Sequence, residues 1–167
     1  MSKKGDVKKR LLFVCLGNIC RSPAAEGIMN TFLQQQGLDQ IIECKSAGTC
    51  NAHEGEPADA RMIEFASERG HKLESYSRGF QAPEDFKNFD YIFTMDKSNY
   101  RNVLRLDGKG DYHSKVIPIT RYCKIHNVEE VPDPYYQGDD GFHLVLDILE
   151  DACNELIAQL KNDLGKK

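Results

Sequence analysis

Residues 10–23 read Arg10-Leu11-Leu12-Phe13-Val14-Cys15-Leu16-Gly17-Asn18-Ile19-Cys20-Arg21-Ser22-Pro23. Arg10–Cys15 is a short, almost continuously apolar run, the pattern of a strand buried on both faces, as in a parallel sheet. Gly17-Asn18 cut the run, and a helix start follows. Ser22 suits the N-cap, Pro23 the first helical position, and Glu26 places negative charge near the positive end of the helix. Ala25, Ile28, Met29, Phe32 and Leu33 then recur at spacings of three and four, one apolar stripe that runs to the stop at Gly37.

The alternation continues outward from this unit. Ile41–Ser46 reads as a strand, and Pro57 precedes a helix over Asp59–Arg69 with Met62, Ile63, Phe65 and Ala66 placed to pack. Tyr91–Met95 is a second apolar strand, followed by a helix from Lys97 to Leu106 that stops at Asp107-Gly108. Lys115–Pro118 is a short strand, and from about Asp140 the residues Val145, Leu149, Ala152, Cys153, Leu156 and Leu160 mark a terminal helix. The expected fold is α/β: a single-domain, Rossmann-like three-layer sandwich with a central, mostly parallel sheet of about four strands and helices on both faces. Ligands of such sheets bind beyond the carboxyl ends of the strands, which points to the loop after Cys15.

Composition narrows the class. The chain has 167 residues, 40% hydrophobic and 29% charged, an ordinary globular balance that argues against disordered and fibrous classes. A net charge of −4 argues against nucleic acid as partner, and no stretch approaches the roughly 20 apolar residues of a membrane span. Lys3, Lys4, Lys8, Lys9 and Arg10 crowd the start, but the apolar segment behind them is too short for a signal peptide. Residues 1–8 are therefore expected to be a flexible tail before a domain at 9–167, in a cytoplasmic protein. The six cysteines include no C-x2-C pair, and Cys15 and Cys20 lack a second ligand pair, so neither structural zinc nor another metal is expected.

The loop from Cys15 to Ser22 carries chemistry. A tight turn from strand to helix leaves backbone N–H groups pointing inward and, with the helix dipole, forms an anion cradle; Gly17 and Asn18 both tolerate the left-handed backbone this requires. A cysteine beside a helix N-terminus and an arginine favours its thiolate, the nucleophilic form. Arg21 has the planar fork that matches two oxygens of a tetrahedral oxyanion. Nucleophile, clamp and backbone donors around one point fit phosphoryl transfer to sulfur. The spacing fits neither G-x4-G-K-[ST] nor G-x-G-x-x-G. The competing reading, a core cysteine and a surface arginine, loses to the strand, the Ser-Pro helix start and the Gly-Asn pair in between.

Val14–Pro23 closely resembles the active-site signature of low-molecular-weight protein tyrosine phosphatases. Lys45-Ser46-Ala47-Gly48-Thr49, Phe89-Asp90-Tyr91-Ile92-Phe93-Thr94-Met95-Asp96 and Val131-Pro132-Asp133-Pro134-Tyr135-Tyr136 stand in the family's order, so the resemblance spans about Lys9 to Leu160. It implies a metal- and cofactor-independent protein-tyrosine-phosphatase that also hydrolyses small aryl phosphates. Cys15 would be the nucleophile and Arg21 the phosphate clamp. Asp133 would be the general acid and then the base; by itself Asp-Pro reads equally as a turn opener. Leu16, Gly17, Asn18, Ile19, Cys20 and Ser22 would form the phosphate-binding loop, with Ser46 joining Asn18 and Ser22 in support. Leu16, Ile19, Tyr135, Tyr136 and Ala52 would border the aryl cleft, and Cys20 would be a redox partner of Cys15. Both tyrosines match positions that kinases phosphorylate in some relatives.

The resemblance further implies phosphotyrosine proteins or aryl phosphates as partners, and inorganic phosphate and vanadate as inhibitors; separately, a helical, partly apolar surface suits a weak homodimer. Two departures stand out. Ser75 occupies a position where many relatives have a histidine, and Ala52 one that is often aromatic, leaving the cleft more open there. His53 and His71 read as solvated. Rival readings are an arsenate reductase of the same fold, a silent phosphoprotein-binding module, and a bacterial-type phosphatase opposing a carbohydrate-export kinase. The first needs a mid-chain cysteine relay, yet no cysteine lies between Cys50 and Cys123; the second needs no pairing of Cys15 with Asp133; the third performs the same reaction.

Overall fold

The computed structural model describes residues 7–165. Residues 1–6, most of the expected tail, lie outside the described residues. β1 (Lys9–Cys15), β2 (Ile42–Gly48), β3 (Tyr91–Thr94) and β4 (Val116–Pro118) form one sheet in the order β2-β1-β3-β4. Every pairing is parallel, so the sheet is wholly rather than mostly parallel. Cys15 is paired with Gly48 and Val14 with Thr94, which brings three strands to their carboxyl ends at one edge.

The side chains of β1 alternate between two cores, as strand geometry requires. Leu11, Phe13 and Cys15 face α1 (Arg21–Gln35) and α5 (Asp139–Gly165), with α2 (Ala60–Glu68) beside them. Leu12 and Val14 face Phe86 of α3 (Glu84–Asn88) and Val103 of α4 (Lys97–Leu106). This is the three-layer sandwich expected. The helix α3 and two 3-10 turns, His113–Lys115 and Ile119–Tyr122, have no counterpart in the sequence reading, because segments of three to five residues are too short to show a period.

The start of α1 corrects one expectation. Cys20, not Ser22, is the N-cap, and it makes no side-chain cap. Pro23 falls at the third helical position, still in the first turn, where it is tolerated because first-turn N–H groups have no intrahelical acceptor. Ser22 is thereby freed from capping and turns its hydroxyl toward Cys15. Two other helices have conventional caps: Asp59 accepts from Arg61 N ahead of α2, and Asp96 and Asn99 form a reciprocal capping box at α4.

Candidate active site

The loop of residues 16–20 bridges β1 and α1. Asn18 takes a φ of 58°, the left-handed conformation, while Gly17 does not. What Gly17 supplies is room, since a Cβ there would lie 3.0 Å from His53 Cδ2. Among the described residues, no carbonyl or side chain accepts from the backbone N–H groups of residues 16–20. They are the donors an anion would use.

Beneath the loop, polar side chains hold its shape. Cys15 Sγ and Ser22 Oγ are 3.0 Å apart, and Asn18 Nδ2 donates to Ser22 Oγ at 2.8 Å. Asn18 Oδ1 accepts from Arg78 N at 3.0 Å, and Ser77 Oγ donates to the Gly17 carbonyl at 2.9 Å. The chain after β2 continues parallel beside the start of the loop, with Thr49 N donating to Cys15 O and Cys50 N to Leu16 O. Gly48 makes this approach possible, because a Cβ there would stand 2.7 Å from the Leu16 carbonyl oxygen and 2.8 Å from that of Cys50.

The clamp is built from three separate segments. Arg21 is 2% exposed, and burying a guanidinium is tolerable only when it is paired. Its Nη1 donates to Asp96 Oδ2 at 2.8 Å and to the Val131 carbonyl at 2.9 Å, while Nη2 lies 3.7 Å from Asp133 Oδ2. Asp96 thus serves two tasks, capping α4 with one carboxylate oxygen and fixing Arg21 with the other. Asp133 stays exposed, and its Oδ1 accepts from Tyr135 N at 3.1 Å, the local turn that sets the carboxyl over the cleft. Arg61 donates to the Tyr135 carbonyl at 3.0 Å and tethers that segment to α2.

Cys15, Arg21, Asp133, Leu16, Gly17, Ile19, Cys20, Cys50, Ala52, His53, Tyr135 and Tyr136 line one cleft of about 330 Å³. Among the site residues read from the sequence, Asn18 and Ser22 lie beneath it, and Ser46 makes no hydrogen bond to the loop among the described residues. Ser46 Oγ donates instead to Glu26 Oε1 at 2.6 Å, and the Ser75 hydroxyl also acts to lower the pKa of that carboxyl. Burial holds Glu26 above the usual carboxylate range, against the lowering effect of both hydroxyls. Burial, reinforced by Asp59, pushes the Cys20 thiol well up.

Both histidine expectations are corrected. His71 is buried, with Thr31 Oγ1 2.9 Å from Nδ1 and Glu150 Oε2 2.8 Å from Nε2, because the turn after α2 tucks it between α1 and α5. His53 is half-buried in the cleft wall, its Nδ1 2.6 Å from Glu56 Oε2. Ser77, Arg78, Asp96 and Arg61 also carry site contacts that the sequence reading missed. Only Asp96 offered a local signal, as a helix N-cap directly beyond a strand's carboxyl end.

A parallel sheet with a cysteine–arginine anion loop at its carboxyl edge defines a cysteine-based phosphatase architecture. The family described as low molecular weight phosphotyrosine protein phosphatase matches residues 10–166. A chain of Synechocystis sp. assigned to the low molecular weight protein-tyrosine-phosphatases is 52% identical over 155 residues, covering 93% of this chain and 98% of that one. The crystal structure of a protein tyrosine phosphatase from Entamoeba histolytica, with Hepes in its active site, has a TM-score of 0.88 at 48% identity, covering 93% and 99%. A Drosophila arginine phosphatase has a TM-score of 0.84 at 30% identity, covering 90% and 97%. This chain belongs to the low molecular weight phosphotyrosine protein phosphatase family.

Proposed function

We propose that this phosphatase hydrolyses protein phosphotyrosine and small aryl phosphates through a phosphocysteine intermediate on Cys15. The observation that carries the reading is convergence: Cys15, Arg21 and Asp133 line a single cleft, with the Arg21 fork 3.7 Å from the Asp133 carboxyl. The Cys15 thiolate attacks phosphorus, the bond to the aryl oxygen breaks, and Asp133 gives its proton to the departing phenolate. Asp133, now a carboxylate, takes a proton from water. That water attacks phosphorus, the P–S bond breaks, and thiolate and inorganic phosphate are released. Arg21 and the loop N–H groups hold the charge on the transferring oxygens throughout.

Apolar Leu16, Ile19 and Tyr135 border the cleft, and Asp133 is the one carboxylate among its described lining residues. That lining favours an aryl ring over the guanidinium-borne phosphate suggested by the arginine phosphatase neighbour. Cys20 lines the same cleft, so a Cys15 sulfenate formed by a hydroperoxide would condense with the Cys20 thiol to a disulfide and water. Among the described residues, no helix is long and apolar enough to cross a membrane. A cytoplasmic setting, phosphotyrosine proteins as partners, and inhibition by phosphate and vanadate complete the proposal.

Hydrolysis of p-nitrophenyl phosphate at mildly acidic pH with EDTA tests it. The wild-type rate is expected to be vanadate-sensitive and to vanish in Cys15→Ser. Asp133→Ala should slow phenyl phosphate, with its poor leaving group, by about 10²–10⁴-fold and p-nitrophenyl phosphate far less. Equal losses on both substrates would remove Asp133 from the role of acid; no wild-type rate would overturn the whole reading.

A further inference from the structure

The peptide that joins Gly17 to Asn18 sits in the middle of the phosphate loop, and its orientation decides what the loop shows an anion. It is trans, so its carbonyl and its N–H point in opposite directions. The carbonyl points to buried Ser77, whose Oγ donates to it at 2.9 Å. The Asn18 N–H therefore faces the other way, and nothing accepts from it among the described residues. Turning this one peptide over changes only ψ of Gly17 and φ of Asn18. Gly17 has no Cβ to resist the turn. Asn18 would gain from it, because its φ of 58° would return from the left-handed region to the negative range that L residues prefer. The turned peptide would aim a carbonyl oxygen at a bound anion instead of a donor.

The Asn18 side chain does not prevent that turn. Its bonds to Arg78 N and Ser22 Oγ fix the amide group and leave the peptide free to rotate. Among the described residues Ser77 Oγ is the one donor to the Gly17 carbonyl. Ser77 is itself held firmly, since its N donates to Glu56 O and its O accepts from Gly55 N, each at 2.8 Å. Beside it, Arg78 O accepts from Gly48 N, and the Arg78 guanidinium meets both oxygens of Asp85. We propose that Ser77 is a positioning residue: its hydroxyl keeps the Gly17–Asn18 peptide turned so that the Asn18 N–H meets the phosphate. The inference deepens the phosphatase reading above and rests on its phosphate loop. Without the hydroxyl the loop divides between two peptide orientations, only one of which binds, and affinity falls with that fraction.

The test uses binding, so that it does not depend on turnover. Affinity for inorganic phosphate is measured by calorimetry for the wild type, Ser77→Ala and Ser77→Thr, with urea midpoints alongside. Ser77→Ala is expected to bind phosphate about 2- to 12-fold more weakly, the worth of one neutral hydrogen bond. Ser77→Thr keeps the hydroxyl and should bind as the wild type does. In 15N-resolved spectra of free Ser77→Ala, the Asn18 amide should give two signals or one broadened signal, which saturating phosphate gathers into one. A lowered urea midpoint with unchanged phosphate affinity would make Ser77 a packing residue and overturn the proposal. So would a Ser77→Thr protein of wild-type midpoint that binds phosphate no better than Ser77→Ala. A wild-type protein that binds no phosphate would instead overturn the anion loop itself, and the phosphatase reading with it.

Discussion

Replacing Ser22 with alanine removes one oxygen from beneath the nucleophile. Ser22 is fully buried, its Oγ 3.0 Å from Cys15 Sγ, and it also accepts from Asn18 Nδ2 at 2.8 Å. In the proposed cycle the sulfur carries charge twice, once when it attacks and again when water expels it from phosphorus. A hydroxyl donating to that charge has a net worth of about 1.5–3 kcal/mol. At about 1.4 kcal/mol per tenfold, its loss converts to roughly a 10- to 150-fold fall in rate. Expulsion of the sulfur feels the loss most, because there the charge forms on a leaving group. Phosphocysteine should therefore accumulate, and rapid mixing with p-nitrophenyl phosphate should show a burst of nitrophenol near one equivalent before the slow steady state. Asn18 Nδ2 also loses its acceptor, which costs about 1–3 kcal/mol of folding stability and is read from the urea midpoint. A steady-state rate within threefold of wild type, with no burst, would refute the assignment of Ser22 to the sulfur.

Two further expectations concern the surroundings of the loop. Gly48→Ala would place a methyl group against two backbone carbonyls, at 2.7 and 2.8 Å, neither of which moves without shifting the phosphate loop. It should cost about 1–3 kcal/mol in urea unfolding and lower kcat/KM, and an unimpaired variant would contradict the described packing. Glu26→Gln tests a pH dependence. Burial raises the folded carboxyl above its ordinary 4.5, so between the unfolded and folded values the native state holds the extra proton. Stability must then decline as pH rises from about 4.5 through the raised value, and the glutamine variant should lose that slope. Parallel slopes for both proteins between pH 4 and 8 would refute it.

The parts of the site that were legible in advance are those the chain writes locally. Residues 10–23 hold a buried strand, a left-handed turn and a helix start in direct succession, so Cys15 and Arg21 could be placed together without tertiary information. Asp133 was different. An Asp-Pro pair is a turn in most settings, and resemblance rather than spacing gave it a role. Ser22 misled because Ser-Pro ordinarily means N-cap and first helical position, a local preference that yielded here to contact with a thiol seven residues back. Ser46 was placed near the loop by resemblance, yet its hydrogen bond goes to Glu26, 20 residues earlier. His71 is buried by partners 40 and 79 positions away, a distance over which no periodicity carries information. The sheet order follows the same division: the strands were readable one by one, whereas β1 taking its place between β2 and β3 is a property of their packing.

The N–H groups of residues 16–20, which have no acceptor among the described residues, have a bearing on the lifetime of the protein as well as on its rate. An anion that binds this loop binds only the folded chain, because the unfolded chain has no cradle. Such a ligand deepens the native well by about 2.7 kcal/mol at a hundredfold excess over its dissociation constant. Under the proposed function, that ligand is the enzyme's own product. Surroundings rich in inorganic phosphate would slow the enzyme and at the same time shield it from unfolding and proteolysis. Phosphate scarcity would release its activity while shortening its survival. Abundance and turnover would then move in opposite directions with one solute, and a cell-level measurement of activity would have to separate the two.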